Sequence, residues 1–445
     1  MTNNDTFYDI HLHAFNLSHP SFSAFLKRFK FKVSWLILGA FLSPLLFIPN
    51  VRRFVTKVAN RTVSKVRNLL SVMETDIGSF FLVTENCLRE RPNQLLTNQG
   101  IRIGDKTYRR VVLTPLMMDF GYKGKRKDTS IHYQPGEKPI VSQVVDVFNA
   151  IRKYRNSPYT KKLVEKYPFL EDGTARIIEI YPFLGLNTAN YERKRLEEML
   201  EKYFHGYQRN RVALAENAGN FNGDIERLKV NNFIGIKVYP PLGFDPWPDN
   251  PKLNQDTSSA DSPINKVKYL YGYCSQRGIP ITSHGGTSGF VAASPEEIKD
   301  FADISKWEKV LADFPYLKLN IAHFPANGRK FGILPPAEQD RLKTCIYLIK
   351  RYNNVYVDIS CRADNYGYYR RLRKIINDIA DIDVRKKVLE RILFGSDFSI
   401  NLLSLESYNA YLQIFSTTTE FDDEEKRLFC SVNPERFLFS GGEPV

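Results

Sequence analysis

Two histidines one residue apart, His11 and His13, close the strand-like run Phe7-Tyr8-Asp9-Ile10-His11-Leu12-His13. In a strand, side chains alternate faces, so positions i and i+2 project to the same side. The pair can therefore offer two imidazoles to one metal ion, while Leu12 points into an apolar layer. Three more residues of this kind end later strand-like runs. They are His284 in Thr282-Ser283-His284-Gly285-Gly286, His323 in Asn320-Ile321-Ala322-His323 and Asp397 in Phe394-Gly395-Ser396-Asp397. Of the seven histidines, four fall at such ends, whereas His19, His132 and His205 do not. Neutral imidazoles with a carboxylate suit Zn²⁺ or another divalent ion, and a catalytic site of that kind leaves one position open for water. The ion lowers the pKa of that water and polarises a substrate carbonyl; Asp397 is suited to bind the ion, to take the water's proton, or both.

Something must hold these residues at one place. Eight short apolar runs read as strands, at 8–13, 110–116, 176–182, 233–239, 279–284, 317–323, 355–360 and 392–397. Most are rich in Val, Ile, Leu or Phe, as buried parallel strands are. Segments 263–277, 295–314, 336–352 and 366–390 suit helices between the later ones. The last four strand ends, at 284, 323, 360 and 397, are spaced by 39, 37 and 37 residues, one strand–loop–helix unit each. Eight such units predict an α/β chain of the (β/α)8 or TIM-barrel class, in which active sites gather at the C-terminal ends of the strands. An open doubly wound sheet is disfavoured, because no glycine-rich phosphate loop is present. The chain reads as one barrel domain over 1–445, with a long insertion at 14–105 between strands one and two. Segment 240–263, rich in Pro, Asp, Asn and Ser, reads as a long loop after strand four.

The H-x-H, the two later strand-end histidines and the late Gly-Ser-Asp resemble the amidohydrolase superfamily, in its order. The resemblance is closer to the amidohydrolase-2 branch, whose usual ending is similar to Val432-Asn433-Pro434-Glu435-Arg436-Phe437-Leu438. It covers roughly 7–13 and 108–440 and leaves out 14–105. It implies His11, His13, His284 and Asp397 as metal ligands, with His323 outside the ligand set or acting as a general acid/base. It also implies a hydrolase that cleaves an amide, ester or lactone with metal-activated water, and one zinc ion rather than two. A non-oxidative decarboxylase of a small carboxylate is the alternative on the same site. A silent, membrane-associated binding module is the third reading.

Lys237, in Gly235-Ile236-Lys237-Val238-Tyr239-Pro240, ends strand four. Its surroundings resemble those of dihydroorotases, and in two-metal members of the superfamily a lysine at this place is carboxylated and bridges the metals. Desolvation lowers a lysine's pKa and would free the amine for that reaction. Holding a substrate carboxylate and forming an ordinary salt bridge are the other roles open to it. Arg362, after strand seven, and Arg329, after strand six, are placed to clamp a substrate carboxylate. Tyr239 reads as a packing residue.

Hydrophobic residues at 43% and charged residues at 25% mark a globular chain. The five cysteines form no C-x-x-C pair and no leader opens the sequence, which together predict a reducing, cytoplasmic setting. The net charge of +14 is uneven. Between Ile10 and Met73 there are ten Lys or Arg and no Asp or Glu, so the remainder is only mildly basic and a nucleic-acid partner is not indicated. Within the insertion the apolar run 33–48 follows Lys27-Arg28-Phe29-Lys30-Phe31-Lys32 and precedes Arg52-Arg53. Its 16 residues fall short of the roughly 20 that span a bilayer. Aromatic, apolar and cationic residues so mixed suit a mostly helical segment lying on an anionic membrane surface. Leaving strand one beside His13, the insertion is expected to overhang the site as a lid, as a membrane contact for a lipophilic substrate, or as both. An extra helical pair packed on the barrel is the plainer alternative. The oligomeric state is not legible.

Overall fold

The computed structural model describes residues 6–16, 76–90, 94–121, 139–168, 176–219, 232–250, 258–326 and 334–439, with a few positions between (19, 69, 72–73, 170–171, 221–224 and 228). Strand β1 (Thr6–Leu12) is buried throughout. A helix at Ile77–Arg89 and a small antiparallel sheet follow, the latter made of β2 (Leu96–Thr97), β3 (Gly100–Ile103) and β4 (Lys106–Tyr108). Then come β5 (Arg110–Pro115), β6 (Ile178–Ile180), β7 (Phe183–Gly185), β8 (Gly235–Val238), β9 (Ile281–Ser283), β10 (Leu319–Ile321), β11 (Val355–Asp358) and β12 (Ile392–Leu393). All eight expected strands are present. The third is broken into β6 and β7 at Pro182, which has no N–H for a ladder.

The fold is parallel α/β. One sheet runs β1-β5-β6 and the other β12-β11-β10-β9-β8-β7, parallel at every pairing. Met117 N donates to Phe183 O (3.1 Å) between the two sheets at one side. At the other, Ile10 N donates to Phe394 O (3.1 Å) and Asp397 N to His11 O (2.6 Å). A compact apolar cluster joins Tyr8, Ile10, Val112, Leu116, Phe183, Ile234, Tyr356 and Leu393 with Phe437 from the C-terminal helix Asn433–Leu438.

Helix Pro263–Arg277 has the bounds its sequence predicts. Ser262 caps its first turn by accepting from Asn265 N, Pro263 stands where a helix needs no N–H, and Val267, Leu270, Tyr271 and Cys274 form the buried stripe. Two expected helices are each divided. Segment 295–314 forms Pro295–Phe301 and Lys306–Asp313, with Asp303 Oδ1 accepting from Ser305 N (2.9 Å) at the break. Segment 366–390 forms Tyr366–Asn377 and Ile382–Leu389, because Asp381 accepts from Asp383 N and Val384 N and starts a new helix.

Of the 14–105 insertion, the run 33–48 and its flanking basic clusters lie outside the described residues, as does Arg329. Its described part holds a helix and the strands β2 and β3, which pair with β4 just beyond it; strands of two to four residues carry too little periodicity to read. Helix Ile77–Arg89 is anchored by Glu85, which accepts from Arg89 Nη2 (2.8 Å), Tyr154 Oη (2.6 Å), Tyr159 Oη (2.5 Å) and Arg176 Nη1 (3.4 Å). Among the described residues no helix is long and apolar enough to cross a membrane.

Candidate metal centre

The register between β1 and β5 shifts between Asp9 and Leu12. Past that shift His11 and His13 come to one side, ring centroids 5.4 Å apart, and Leu12 turns into the apolar core. The segment after β12 lies directly against them: His13 N donates to Phe398 O at 2.5 Å. Gly395 permits this approach, since a Cβ there would sit 2.6 Å from His11 Cβ.

His11 Nδ1 lies 2.9 Å from Asp358 Oδ2, and His13 Nδ1 lies 3.0 Å from Leu116 O. Carboxylate and carbonyl oxygens only accept, so both rings carry their proton on Nδ1 and turn the Nε2 lone pair inward. These Nε2 atoms stand 3.7 and 3.2 Å from Asp397 Oδ1. Ligands about 2.0–2.1 Å from a tetrahedral Zn²⁺ are about 3.3 Å from one another, so the three atoms have the spacing of a ligand set. His11 Nε2 is buried with no hydrogen-bond partner, a state that a bound cation relieves. A second group of compatible atoms joins His11, His323 and Asp358.

His284 stands beside these two groups. Its Nε2 is 2.7 Å from Ser288 O, its Nδ1 is 3.0 Å from His323 Nε2, and its ring stacks on Tyr239 at 4.1 Å. Tyr239 thus packs, as expected, and its hydroxyl also accepts from Phe290 N (3.2 Å). A side chain at Gly289, where φ is +121°, would meet that hydroxyl. The Ser288 carbonyl requires a proton on His284 Nε2, which leaves Nδ1 to accept from His323 Nε2. His323 Nδ1 faces Ser360 O at 3.2 Å, so a neutral His323 has two acceptors to serve with one proton.

Burial lowers His13, takes His284 well below the usual imidazole range and pushes His323 down to about 3, so these rings are neutral, the form that binds metal. For Asp397, burial favours the acid, but the imidazoles around it, His13 foremost with His323 and His11, outweigh burial and hold the carboxyl well below its ordinary value. Lys237 is buried beneath the cluster and its Nζ has no hydrogen-bond partner. Burial pushes its ammonium down to about 8, against the pull of Asp358 and Asp397. A cavity of about 60 Å³ opens over the site, lined by His13, Tyr239, His284, Phe290, His323, Cys361, Arg362 and Asp397.

Asp358 is the main residue the sequence did not single out. It is fully buried at the end of β11, accepts from Asn320 Nδ2 (2.8 Å), His323 N (3.1 Å) and Ser360 N (3.1 Å), and fixes His11. Burial raises its carboxyl, and the hydrogen bond from His11 Nδ1, with His323 and Ser360 beside it, reverses that and holds it low. Its signal was an acid inside the apolar run 355–360. Asp9 is a second such residue, accepting from Ser396 N (3.0 Å) and Tyr408 Oη (2.9 Å) and so tying β1 to the segment that carries Asp397. The strand ends share one backbone feature: His323, Cys361 and Asp397 have φ of 63°, 62° and 57°. The left-handed region costs a non-glycine residue about 1–3 kcal/mol, and such strain gathers at functional sites.

A family model described as amidohydrolase matches residues 195–439, just over half of the chain, including His284, His323, Asp358 and Asp397. The chain belongs to the amidohydrolase family. It is similar to a number of solved structures, among them the following three. A dihydroorotase from Campylobacter jejuni is 17% identical, over 61% of this chain and 67% of that one, with a TM-score of 0.29. A probable 2-pyrone-4,6-dicarboxylic acid hydrolase from Acinetobacter baumannii, with citric acid bound, is 12% identical over 73% and 98%, with a TM-score of 0.33. A 5-carboxyvanillate decarboxylase from Novosphingobium aromaticivorans, complexed with manganese and a nitrobenzoic acid, is 10% identical over 74% and 76%, with a TM-score of 0.35. No curated protein matches the sequence.

Proposed function

We propose that the eight strands close into a (β/α)8 barrel carrying a metal-dependent hydrolase that cleaves an amide, ester or lactone bond of a small carboxylate. An open sheet of eight strands, about 4.8 Å apart, would hold its first and last strands about 34 Å from each other. Here the segment after β12 bonds directly to His11 and His13. The functional reading is carried by two inward Nε2 lone pairs facing Asp397 Oδ1 at 3.7 and 3.2 Å.

A divalent ion, with zinc suited to this donor set, would supply Lewis-acid polarisation of the scissile carbonyl and a more acidic water. His11, His13 and Asp397 would hold it, and His284 is the fourth candidate through Nδ1. Asp397 is the base that takes the water's proton. If His284 Nδ1 held the ion, the Nε2–H of neutral His323 would be released to hydrogen-bond the leaving atom, and Asp397 would pass that atom the proton it took from the water. Arg362 lines the cavity, which places it to clamp a substrate carboxylate. Phe290, in edge contact with Phe15 and Phe120, gives the cavity an apolar wall. With a single ion, Lys237 is proposed to hold a substrate carboxylate or to balance the charge of Asp358 and Asp397; carboxylation of its Nζ would instead provide a bridge for two ions.

The same Arg362 favours a second reading, in which the carboxylate it would hold leaves as carbon dioxide. The insertion is proposed as a lid, and its described flanks support this: Phe15 packs beside His13, and Phe80 against Phe398, next to Asp397. Liposome flotation with and without residues 20–70 tests its membrane role, which equal binding would rule out.

The deciding experiment is metal analysis of the full chain, chelation, and restoration with Zn²⁺ or Mn²⁺ against a panel of esters, lactones and amides. Carbon dioxide release separates decarboxylation from hydrolysis. A protein that binds no metal, and gains neither melting temperature nor activity from either ion, would leave only the binding-module reading.

A further inference from the structure

The cavity over the metal centre measures only about 60 Å³. A water in the liquid takes about 30 Å³, and an apolar cavity that admits benzene has about 150 Å³. The space beside Asp397 and His284 therefore suits a group of a few non-hydrogen atoms and is too small for an aromatic ring. Its lining divides by chemistry. Arg362, Asp397 and the histidines are polar, whereas Tyr239, Phe290 and Ile400 supply the apolar side.

Such a limit holds only if the apolar side cannot retreat, and Phe290 is fixed through both its ring and its backbone. The ring stands edge-on to Phe15 (5.5 Å, 77°) and to Phe120 (5.2 Å, 78°), which meet each other at 5.9 Å and 80°. The three come from the ends of β9, β1 and β5 respectively, and all are buried. Edge-to-face is a favoured geometry for aromatic rings, so turning Phe290 aside breaks two such contacts. Its backbone N donates to Tyr239 Oη (3.2 Å), and Tyr239 is stacked on His284 at 4.1 Å. Just beyond, Ala292 N and Ala293 N both donate to Pro241 O (2.8 and 3.2 Å), in the turn Pro240–Leu242 that follows β8. The ring is thus a fixed post, held from four strand ends.

We propose that Phe290 sets the size of the substrate: the site takes a short aliphatic acyl group, of about two or three carbons, beside the ion and turns away aromatic and branched ones. This rests on the metal-dependent reading above and adds the substrate class to it.

The test uses the full chain loaded with Zn²⁺, its metal content measured, and reads binding rather than turnover. Acetohydroxamate and benzohydroxamate chelate zinc through the same two oxygens and differ only in the group beside the carbonyl. Calorimetry should find acetohydroxamate tighter by about tenfold or more, the scale on which a packed pocket discriminates by size. Phe290→Ala should reduce that preference by about tenfold or abolish it. Phe290→Leu, which keeps an apolar side chain but not the ring, should shift it in the same direction and stands in if the alanine variant does not fold. A parent that binds both hydroxamates equally, or a preference unchanged in the variants, would overturn the size limit and leave the metal centre standing. Loss of both ligands in folded variants alone would make Phe290 a structural residue and refute the proposal as well. A chain that takes up no zinc, or that binds neither hydroxamate in any form, would overturn the metal-dependent reading and the size limit with it.

Discussion

Replacing Asp358 by Asn tests whether the metal centre is built from outside its ligands. Asp358 Oδ2 faces two donors, His11 Nδ1 at 2.9 Å and Asn320 Nδ2 at 2.8 Å, while its other oxygen takes His323 N and Ser360 N. An asparagine keeps one acceptor arm. Its amide must then direct NH₂ either at His11 and Asn320 or at the two backbone N–H groups. If the amide faces His11, the imidazole satisfies it by moving its proton to Nε2, which removes the lone pair meant for the ion. If it faces the backbone, two buried N–H groups lose their acceptor at about 1–3 kcal/mol each. The first choice is the milder one. Groups that orient a ligating histidine typically contribute 10–100-fold in metal affinity, about 1.4–2.7 kcal/mol. Asp358→Asn should therefore weaken Zn²⁺ binding by about 10–100-fold while the circular dichroism spectrum stays that of the parent. Competition against a fluorescent chelator reads the affinity. A folded Asp358→Asn protein that binds Zn²⁺ as tightly as the parent would refute the assigned tautomers, and with them the claim that His11 Nε2 is a ligand.

Three further predictions follow from single contacts. Arg362→Gln should raise KM about 10–100-fold for substrates that bear a carboxylate, as expected for a lost charge-assisted contact, and leave neutral substrates unaffected. Glu85→Gln removes the carboxylate that buried Arg89 and Arg176 share, at about 3–5 kcal/mol, so the melting temperature should drop while the metal content of the folded protein is retained. Burial raises the Asp9 carboxyl from 3.8 to about 6, against the hydrogen bonds from Ser396 and Tyr408. The native chain thus holds a proton that the unfolded chain releases between about pH 4 and 6, and stability from this group falls as pH rises through that window and is level above it. Melting curves from pH 4 to 7 should show that slope in the parent and lose it in Asp9→Asn; an identical slope in both would assign the proton elsewhere.

The parallel strands were legible because most are dense apolar runs, and several end in a residue too polar for its surroundings. His284, His323 and Asp397 are such residues, and the structure puts all three at strand ends around one cavity. The breaks at 302–305 and 378–381 were not legible, since they depend on Asp303 and Asp381 bonding to nearby backbone N–H groups rather than on hydrophobic period. Asp358 escaped for a different reason. An acid inside a buried strand carries no spacing signal of its own. Its role is set by Asn320 and His11, which are 38 and 347 residues away in sequence. The β2–β4 sheet escaped because its strands are too short to alternate.

The same distances explain why the centre sits where it does. His11 and Asp397 are 386 residues apart, and nothing local brings them together. What does is the junction of β1 with the segment after β12, through Ile10 N to Phe394 O, Asp397 N to His11 O and His13 N to Phe398 O. His11, His13 and Asp397, three of the groups that would hold the ion, are therefore also residues that hold the first strand to the segment after the last. Long-range pairing is the slow and entropically expensive part of such a fold. An ion that binds only the native arrangement stabilises that junction by mass action. The left-handed conformations of His323, Cys361 and Asp397 point the same way, because strain at three neighbouring strand ends persists only where surrounding contacts over-determine it. In this chain those contacts are Asp358 beneath His11 and His323, and Asp9 beneath Ser396, two buried acids that align the junction before any ion arrives.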